Sequence, residues 1–415
     1  MPLYQILMAL LLPVMLAHAW ITGGRRALRE RWGLAAPPRS GQRLWLHGAS
    51  NGELASARAV LQELLAARPG LAVLVTSNSL TGRDLVEGWR LPRVTAALAP
   101  LDTAGAAARL MDRFLPQALV ILENELWPSR LAAAHRRGVQ ILVIGARLSE
   151  GSAARWRLWP GLIGDALAKL DWVSAQDEAS ARRLVDLGLP QAVLGPTVTL
   201  KAMTAAAMPQ EPPFAPPVPR AACLLAASTH PGEEGPILSA FAGARLRGGP
   251  AFLILAPRHA RRGDEVAALI ASQGLTLARR SAGQMPGPDT QVYLADTLGE
   301  MGLWYAMAGI CLIGGTFTDR GGHTPFEPAA HGCALIHGPD VANFAPQFAA
   351  LHAAGGAIGL TDFSGLEPAL CAMPAARQAS LAAAGRAALA PFGRGGKEIT
   401  ERILAALPGL PNTAG

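Results

Sequence analysis

Short apolar runs alternate with helical patterns along most of this chain. "RLWLHG" (43–48), "LAVLVTS" (71–77), "ALVILE" (118–123), "VQILVIGA" (139–146) and "WVSAQ" (172–176) read as buried strands. "ACLLAAS" (222–228), "AFLILAP" (251–257), "QVYLAD" (291–296), "GICLIGG" (309–315) and "CALIHG" (333–338) repeat the theme. Strands that alternate with helices predict parallel sheets covered on both faces. Between the two series lies "PQEPPFAPPVP" (209–219), whose six prolines rule out a helix interior or a central strand. The pattern therefore predicts two α/β domains joined by a proline-rich linker. Each would bind ligands at the carboxyl ends of its strands, and the two would face a cleft.

The first 33 residues differ from the rest. Residues 3–22 are nearly all apolar and about long enough to cross a bilayer, and Arg25, Arg26, Arg29 and Arg31 follow. The arginines place that end in the cytoplasm by the positive-inside rule. "Ala17-His18-Ala19" resembles a signal-peptidase site. However, no basic residue precedes the apolar run, which favours an uncleaved anchor. Pro13 and His18 leave a shallow interfacial helix open. The expected division is an anchor over 1–24, a first α/β domain over 25–205, a linker over 206–219 and a second α/β domain over 220–415.

Two stretches carry local chemistry. In "RGGHTPFEPAAHG" (320–332), Gly321 and Gly322 permit a tight exit from a strand. Thr324, Pro325 and Glu327 then read as N-cap, first helical residue and the far end of a capping box. A helix start of that kind presents free N–H groups to a phosphate. "HGASNGE" (47–53) repeats the device, with Ser50 and Glu53 as a second capping box. Leu54, Ala57, Leu61 and Leu64 follow at helical spacing as the buried face.

Composition narrows the partners. Half of the 415 residues are hydrophobic and the formal net charge is +7, which suits anionic partners. Only three residues are tyrosine and no basic-aromatic cluster occurs, so nucleic acid fits poorly. The four cysteines lie outside any C-x-x-C pair, which suits a reducing compartment. The nine histidines show no metal-ligand spacing, and no protein-bound metal is expected.

The chain resembles the 3-deoxy-D-manno-oct-2-ulosonic acid (Kdo) transferases of lipopolysaccharide synthesis. "HGASNGE", "LENELWPS", "GARLSE", "LAASTHPGEE", "LAPRH", "DTLGEMGLWYAMA" and "GGTFTDRGGHTPFEPAAHGCALIHGPDVANF" follow in that family's order, from about Arg31 to about Phe344. The resemblance implies a GT-B fold of two Rossmann-like domains. It also implies an inverting, metal-independent transfer of Kdo from CMP-Kdo to the lipid A disaccharide precursor, on the cytoplasmic face of the inner membrane. CMP-Kdo would be a substrate, with no further cofactor, and anionic lipid a partner.

Carried onto this sequence, the resemblance makes Glu53 the general base. Glu123 and Lys201 would stabilise the transition state, with Glu125 competing for the first role. Donor contacts fall on Pro257, Arg258, Leu298, Gly299, Glu300, Thr324, Pro325, Phe326 and Glu327. Arg147 would pair with a carboxylate or phosphate, and His230 and His259 sit by the donor motifs. The chain departs from the family pattern at "GPTVTLK", where Lys201 stands six residues after Gly195 instead of three, and in having Thr324 and Gly145 where Asn is common. Two other functions fit these residues. One is a related transferase with another CMP-activated acidic sugar or another acceptor. The other is a non-catalytic paralogue that binds CMP or lipid.

Overall fold

The computed structural model describes residues 2–35, 41–200, 214–393 and 395–408. They form two compact units, one of residues 1–204 with 393–415 and one of residues 205–392.

The sheet of the first unit comprises β1 (Arg43–Gly48), β2 (Ala72–Ser77), β3 (Val94–Leu98), β4 (Ala118–Leu122), β5 (Gln140–Ala146) and β6 (Trp172–Ala175). Their order is β3-β2-β1-β4-β5-β6, with every pair parallel. This is the strand order of a dinucleotide-binding Rossmann sheet, and its topological switch point lies between β1 and β4. The strands are apolar throughout because helices cover both faces. The Asn51–Ala67 helix buries Leu54, Ala57, Leu61 and Leu64, the stripe its spacing predicts, and Val60 with them.

The second unit carries β7 (Cys223–Thr229), β8 (Phe252–Pro257), β9 (Leu277–Arg279), β10 (Val292–Leu294), β11 (Ile310–Ile313), β12 (Ala334–His337) and β13 (Ala357–Gly359). Their order is β13-β12-β11-β7-β8-β10-β9, again all parallel. Here the switch point lies between β7 and β11. Every strand read from the sequence is present within a residue or two. The additional strands are β3, whose "VTAAL" has little bulk, and the three-residue β9 and β13, too short to show a period.

Two expectations need correction. The second domain does not run to 415: the Gly396–Ala405 helix belongs to the first unit. Its Ile399 and Ile403 share a core with Leu61 and Leu64, and Thr400 Oγ1 donates to Glu63 Oε2 at 2.7 Å. An amphipathic stripe is legible in sequence, but the surface that covers it is not.

The helix expected from Thr324 is a single turn, Phe326–Ala330, flanked by Pro325 in helical conformation and without a side-chain cap. Thr324 Oγ1 instead accepts from the Phe326 N–H at 3.3 Å, two residues on, so no Thr-x-x-Glu box forms. The preceding Gly321 and Gly322 have φ of 74° and 73°. A side chain on Gly321 would strike Asn343, and its N–H donates to Asp340 Oδ2 at 2.6 Å. The glycines thus let this loop close on the "GPDVANF" segment.

The first helix, Pro2–Arg31, breaks at Gly24, whose φ of 61° and ψ of −159° are not helical. Residues 4–31 include the one helix among those described that is long and apolar enough to cross a membrane. One side of it lies on the first unit: the Tyr4 hydroxyl donates to Asp102 Oδ2 at 2.7 Å, and Met8, Ala19 and Ala27 are buried. Ile6, Leu10, Val14 and Ile21 are exposed. Lys201 and most of the proline-rich linker lie outside the described residues.

Candidate active site

In the first unit the predicted acid–base residues gather at the switch point. Glu53 stands in the first turn of the helix after β1, and Glu123 directly follows β4, the adjacent strand. Ser50 caps the helix, and Glu53 reaches back to the residues at its start in a variant of the capping box. Ser50 Oγ accepts from the Glu53 N–H at 3.3 Å, and Glu53 accepts from the Ala49 N–H at 2.7 Å and the Ser50 hydroxyl at 2.9 Å. Such bonds normally hold a carboxyl low. Burial outweighs them, helped by the charges of Glu123 and Glu125, and raises Glu53 to about 7. A carboxylate with that affinity for protons suits a base working near neutral pH. Glu123 has a left-handed backbone, φ 56°, fixed by its N–H donating to Ile144 O at 3.1 Å. That conformation is uncommon outside glycine and turns the chain sharply off the strand.

Glu125 occupies a different environment from Glu53. Its Oε2 accepts from Asn78 at 2.7 Å and from the Trp127 indole at 2.6 Å, and lies 3.5 Å from His47 Nε2. Burial alone would raise its pKa, but His47, Trp127 and Asn78 bring it down to about 2. His47, fully buried on β1, is pushed down to about 4 by desolvation and then by the Arg130 charge, so it is neutral at pH 7. Its Nδ1 lies 2.9 Å from Thr76 Oγ1, which also accepts from the Trp45 indole at 2.8 Å. Glu125 and Glu53 therefore sit in opposite environments: hydrogen bonds hold the Glu125 carboxyl low, whereas burial raises that of Glu53. His47, Asn78 and Trp127 were not singled out from sequence. The only signal was their presence within or beside the quoted motifs.

In the second unit the predicted donor residues lie at or just beyond the carboxyl ends of β8, β10 and β11. Pro257 ends β8 and Arg258 follows it, exposed, its N–H donating to Thr229 O at 2.9 Å. Leu298, Gly299 and Glu300 form the turn after β10, with Leu298 73% exposed and Gly299 at φ 83°. Thr324, Pro325, Phe326 and Glu327 follow β11, and Phe326 is buried. Glu300 is engaged within the protein. Arg280 donates to it through Nε at 3.0 Å and Nη2 at 2.6 Å, and Thr297 also donates to it. The Arg280 bond holds its carboxyl low.

Glu233 organises this end of the sheet and was not singled out from sequence. It is 0% exposed and accepts three backbone N–H groups: His230 at 2.8 Å, Gly315 at 2.9 Å and Phe317 at 3.2 Å. One carboxylate thereby ties the loop after β7 to the loop after β11. Close contact helps, since a side chain on Gly314 would meet Ala227 O and Ser228 O at 2.6 Å. The neighbouring Glu234 pairs with Arg262 at 2.6 Å and accepts from Thr229 Oγ1 at 3.0 Å. His230 and His323 stack, their Nε2 atoms 2.9 Å apart, and His259 lies edge-on to His230. Burial and then the Arg320 charge lower the pKa of His230. The result is a rigid strand-end platform with Arg258, Arg320 and His259 around it, a charge pattern that suits a phosphate.

Comparison with known proteins places the chain in a family. The family model for 3-deoxy-D-manno-octulosonic-acid transferase (kdotransferase) matches residues 26–204. A 3-deoxy-D-manno-octulosonic acid transferase of Bordetella pertussis is 36% identical over 394 residues, covering 88% of this chain and 91% of that protein. Among solved structures, a UDP-GlcNAc 2-epimerase from Neisseria meningitidis matches at a TM-score of 0.58 and 12% identity, over 88% of this chain and 100% of that one. MurG of Acinetobacter baumannii matches at 0.52 and 14%, with the same coverage. At those identities the two structures speak for the fold, a GT-B-like pair of Rossmann units. The sequence match spans both units, and the paired strand-end sites lie within it: this chain belongs to the 3-deoxy-D-manno-octulosonic acid transferase family of glycosyltransferases.

Proposed function

We propose that the protein transfers Kdo from CMP-Kdo to the lipid A disaccharide precursor (lipid IVA), with inversion at the anomeric carbon and without a metal. The observation that carries this reading is Glu53: a carboxyl at the switch point of the first sheet, with a pKa raised to about 7 by burial and by two neighbouring carboxylates. In the reaction, a sugar hydroxyl of the acceptor gives its proton to Glu53 as its oxygen bonds to the anomeric carbon. The bond from that carbon to the CMP phosphate breaks, and CMP leaves with the electron pair. A single displacement inverts the centre. The second unit supplies the donor contacts through Arg258 and the strand-end loops, and Lys201 and Glu123 are proposed to act on the transition state. Incubation with CMP-Kdo and lipid IVA, with and without EDTA, tests the sugar, the acceptor and the metal independence together. Absence of Kdo transfer with CMP binding intact would favour the non-catalytic reading instead.

Arg258→Ala should weaken CMP by roughly ten- to a hundred-fold, the cost of one charge-assisted bond to a phosphate. Calorimetric titration of CMP checks this, and unchanged affinity would remove Arg258 from the donor site. For attachment, the first helix is proposed to hold the protein on the cytoplasmic face of the inner membrane. A chain lacking residues 1–24 should fold and keep CMP affinity. It should use detergent-dispersed acceptor well and membrane-embedded acceptor poorly, which transfer assays on the two substrate forms would show.

A further inference from the structure

Trp45 and His47 lie two residues apart on β1 and so point to one face of the sheet, and Thr76 of β2 stands directly opposite His47. All three are fully buried. Burial and the Arg130 charge keep His47 neutral at pH 7. A neutral imidazole carries one proton, on Nδ1 or on Nε2, and the groups around the ring decide which.

Here both sides of the ring require the same answer. An indole N–H can only donate, so the Trp45 contact at 2.8 Å fills an acceptor position of Thr76 Oγ1. The Thr76 hydroxyl proton then needs an acceptor of its own. Among the described residues its partner is His47 Nδ1, at 2.9 Å. Nδ1 therefore accepts, and the ring proton sits on Nε2. On the far side of the ring, Nε2 lies 3.5 Å from Glu125 Oε2, a carboxylate whose pKa is brought down to about 2. A bare nitrogen lone pair would be repelled there, whereas an N–H is attracted. The separation is longer than a normal hydrogen bond, and Nε2 has no other acceptor among the described residues. Contacts of this length in an empty active site commonly tighten when substrate binds.

The two oxygens of Glu125 are used differently. Oε2 faces all three donors: Asn78 at 2.7 Å, the Trp127 indole at 2.6 Å and His47. Oε1 accepts from none of the described residues, and it is not among the buried atoms that lack a partner. The carboxylate is thus gripped by one oxygen and presents the other. It presents it near Glu53, whose carboxyl feels the Glu125 charge.

We infer that Thr76 is a positioning residue for the transfer: it keeps the His47 proton on Nε2, so that His47 holds Glu125 Oε2 while Glu125 Oε1 accepts from a hydroxyl of the acceptor sugar. This deepens the proposed function and rests on it for its kinetic consequence, whereas the tautomer rests on the hydrogen bonds alone.

The test uses the full chain in detergent with CMP-Kdo and lipid IVA, and thermal melts to confirm folding. Thr76→Val keeps the shape of the side chain and removes the hydroxyl, which leaves His47 Nδ1 without its donor. Its kcat is expected to fall by about ten- to a hundred-fold, the usual cost of a working group displaced by about 1 Å. KM for CMP-Kdo and CMP affinity should not change, because the donor contacts belong to the second unit. Thr76→Ser restores the hydroxyl but loses a buried methyl, so it should melt lower than wild type and yet return kcat to within about two-fold of it. A role in packing alone predicts the reverse order, with serine the more damaging. Wild-type kcat in Thr76→Val, or equal impairment of the two folded variants, overturns the inference. Nitrogen NMR of the histidine rings in the wild type reads the tautomer directly and keeps the test open if Thr76→Val does not fold. His47 is expected as Nε2–H, and His47 found as Nδ1–H overturns the inference whatever the variants do. A wild type that shows the Nε2–H tautomer and binds CMP but transfers no Kdo would sink the transferase reading alone.

Discussion

Glu53→Gln is expected to lower turnover by about two to four orders of magnitude, the usual contribution of a positioned general base. Glutamine keeps the size, its oxygen can still accept the Ala49 N–H and its amide can donate to Ser50 Oγ in place of accepting from it, so fold and CMP affinity should persist. In the wild type, kcat/KM for acceptor should rise with pH through about 7, where Glu53 loses its proton. Stability carries a second signature of opposite sense. Because the folded pKa is raised from 4.5, the native state holds the proton more tightly than the unfolded chain. Stability from this group is full below the unfolded value and is lost as pH rises through the folded one. At pH 8 the ionised, buried Glu53 is therefore a burden of about 1–3 kcal/mol. Glu53→Gln should be more stable than wild type there, and the difference should vanish near pH 4. Denaturant unfolding at the two pH values reads this directly. A variant with near wild-type turnover, or one destabilised at pH 8, would make Glu53 a helix cap only.

Glu233→Ala is expected to remove most CMP binding. The substitution leaves three N–H groups, on His230, Gly315 and Phe317, without their shared acceptor in a buried setting. Hydrogen bonds to a charged group contribute about 1.5–3 kcal/mol each, so the loss of three should cost the loop pair about 4.5–9 kcal/mol of its ordering. CMP affinity should fall by more than about a hundred-fold, with a clear drop in melting temperature. Glu233→Gln should rescue poorly, because its amide offers a donor where the loops already supply donors. Melting curves and CMP titration of both variants decide the matter. Glutamine restoring full affinity would mean that the carboxylate only fills space.

Several features of the site were legible from spacing alone. "HGASNGE" announces a strand, a turn, a cap and a helix, and the Ser50–Glu53 box forms as its residue types require. "RGGHTPFEP" has the same pattern of a hydroxyl residue three positions before a glutamate, yet its box does not form. Pro325 takes a helical conformation ahead of the turn, the helix has only five residues, and Thr324 bonds one residue short of the box. Local propensity decides such a contest only when tertiary contacts agree with it. Here Asp340 and Asn343 draw the glycines aside.

The sequence by itself determined the alternation of strands and helices, the parallel sheets this forces, the boundary between the two Rossmann series and the apolar character of the first helix. Each of these is a matter of periodicity and of residue types along a few turns of chain. Tertiary structure decided the rest, because burial and electrostatic coupling depend on residues far apart in sequence. The strand order put Glu53 and Glu123 at one switch point, and only there does desolvation raise the carboxyl of a helix cap to about 7. Residue 233 acquires its role from N–H groups more than eighty positions away. The Gly396–Ala405 helix joins the unit at the other end of the chain because that is where its apolar stripe finds cover. A hydrophobic pattern states that a face must be buried; only the folded chain states against what.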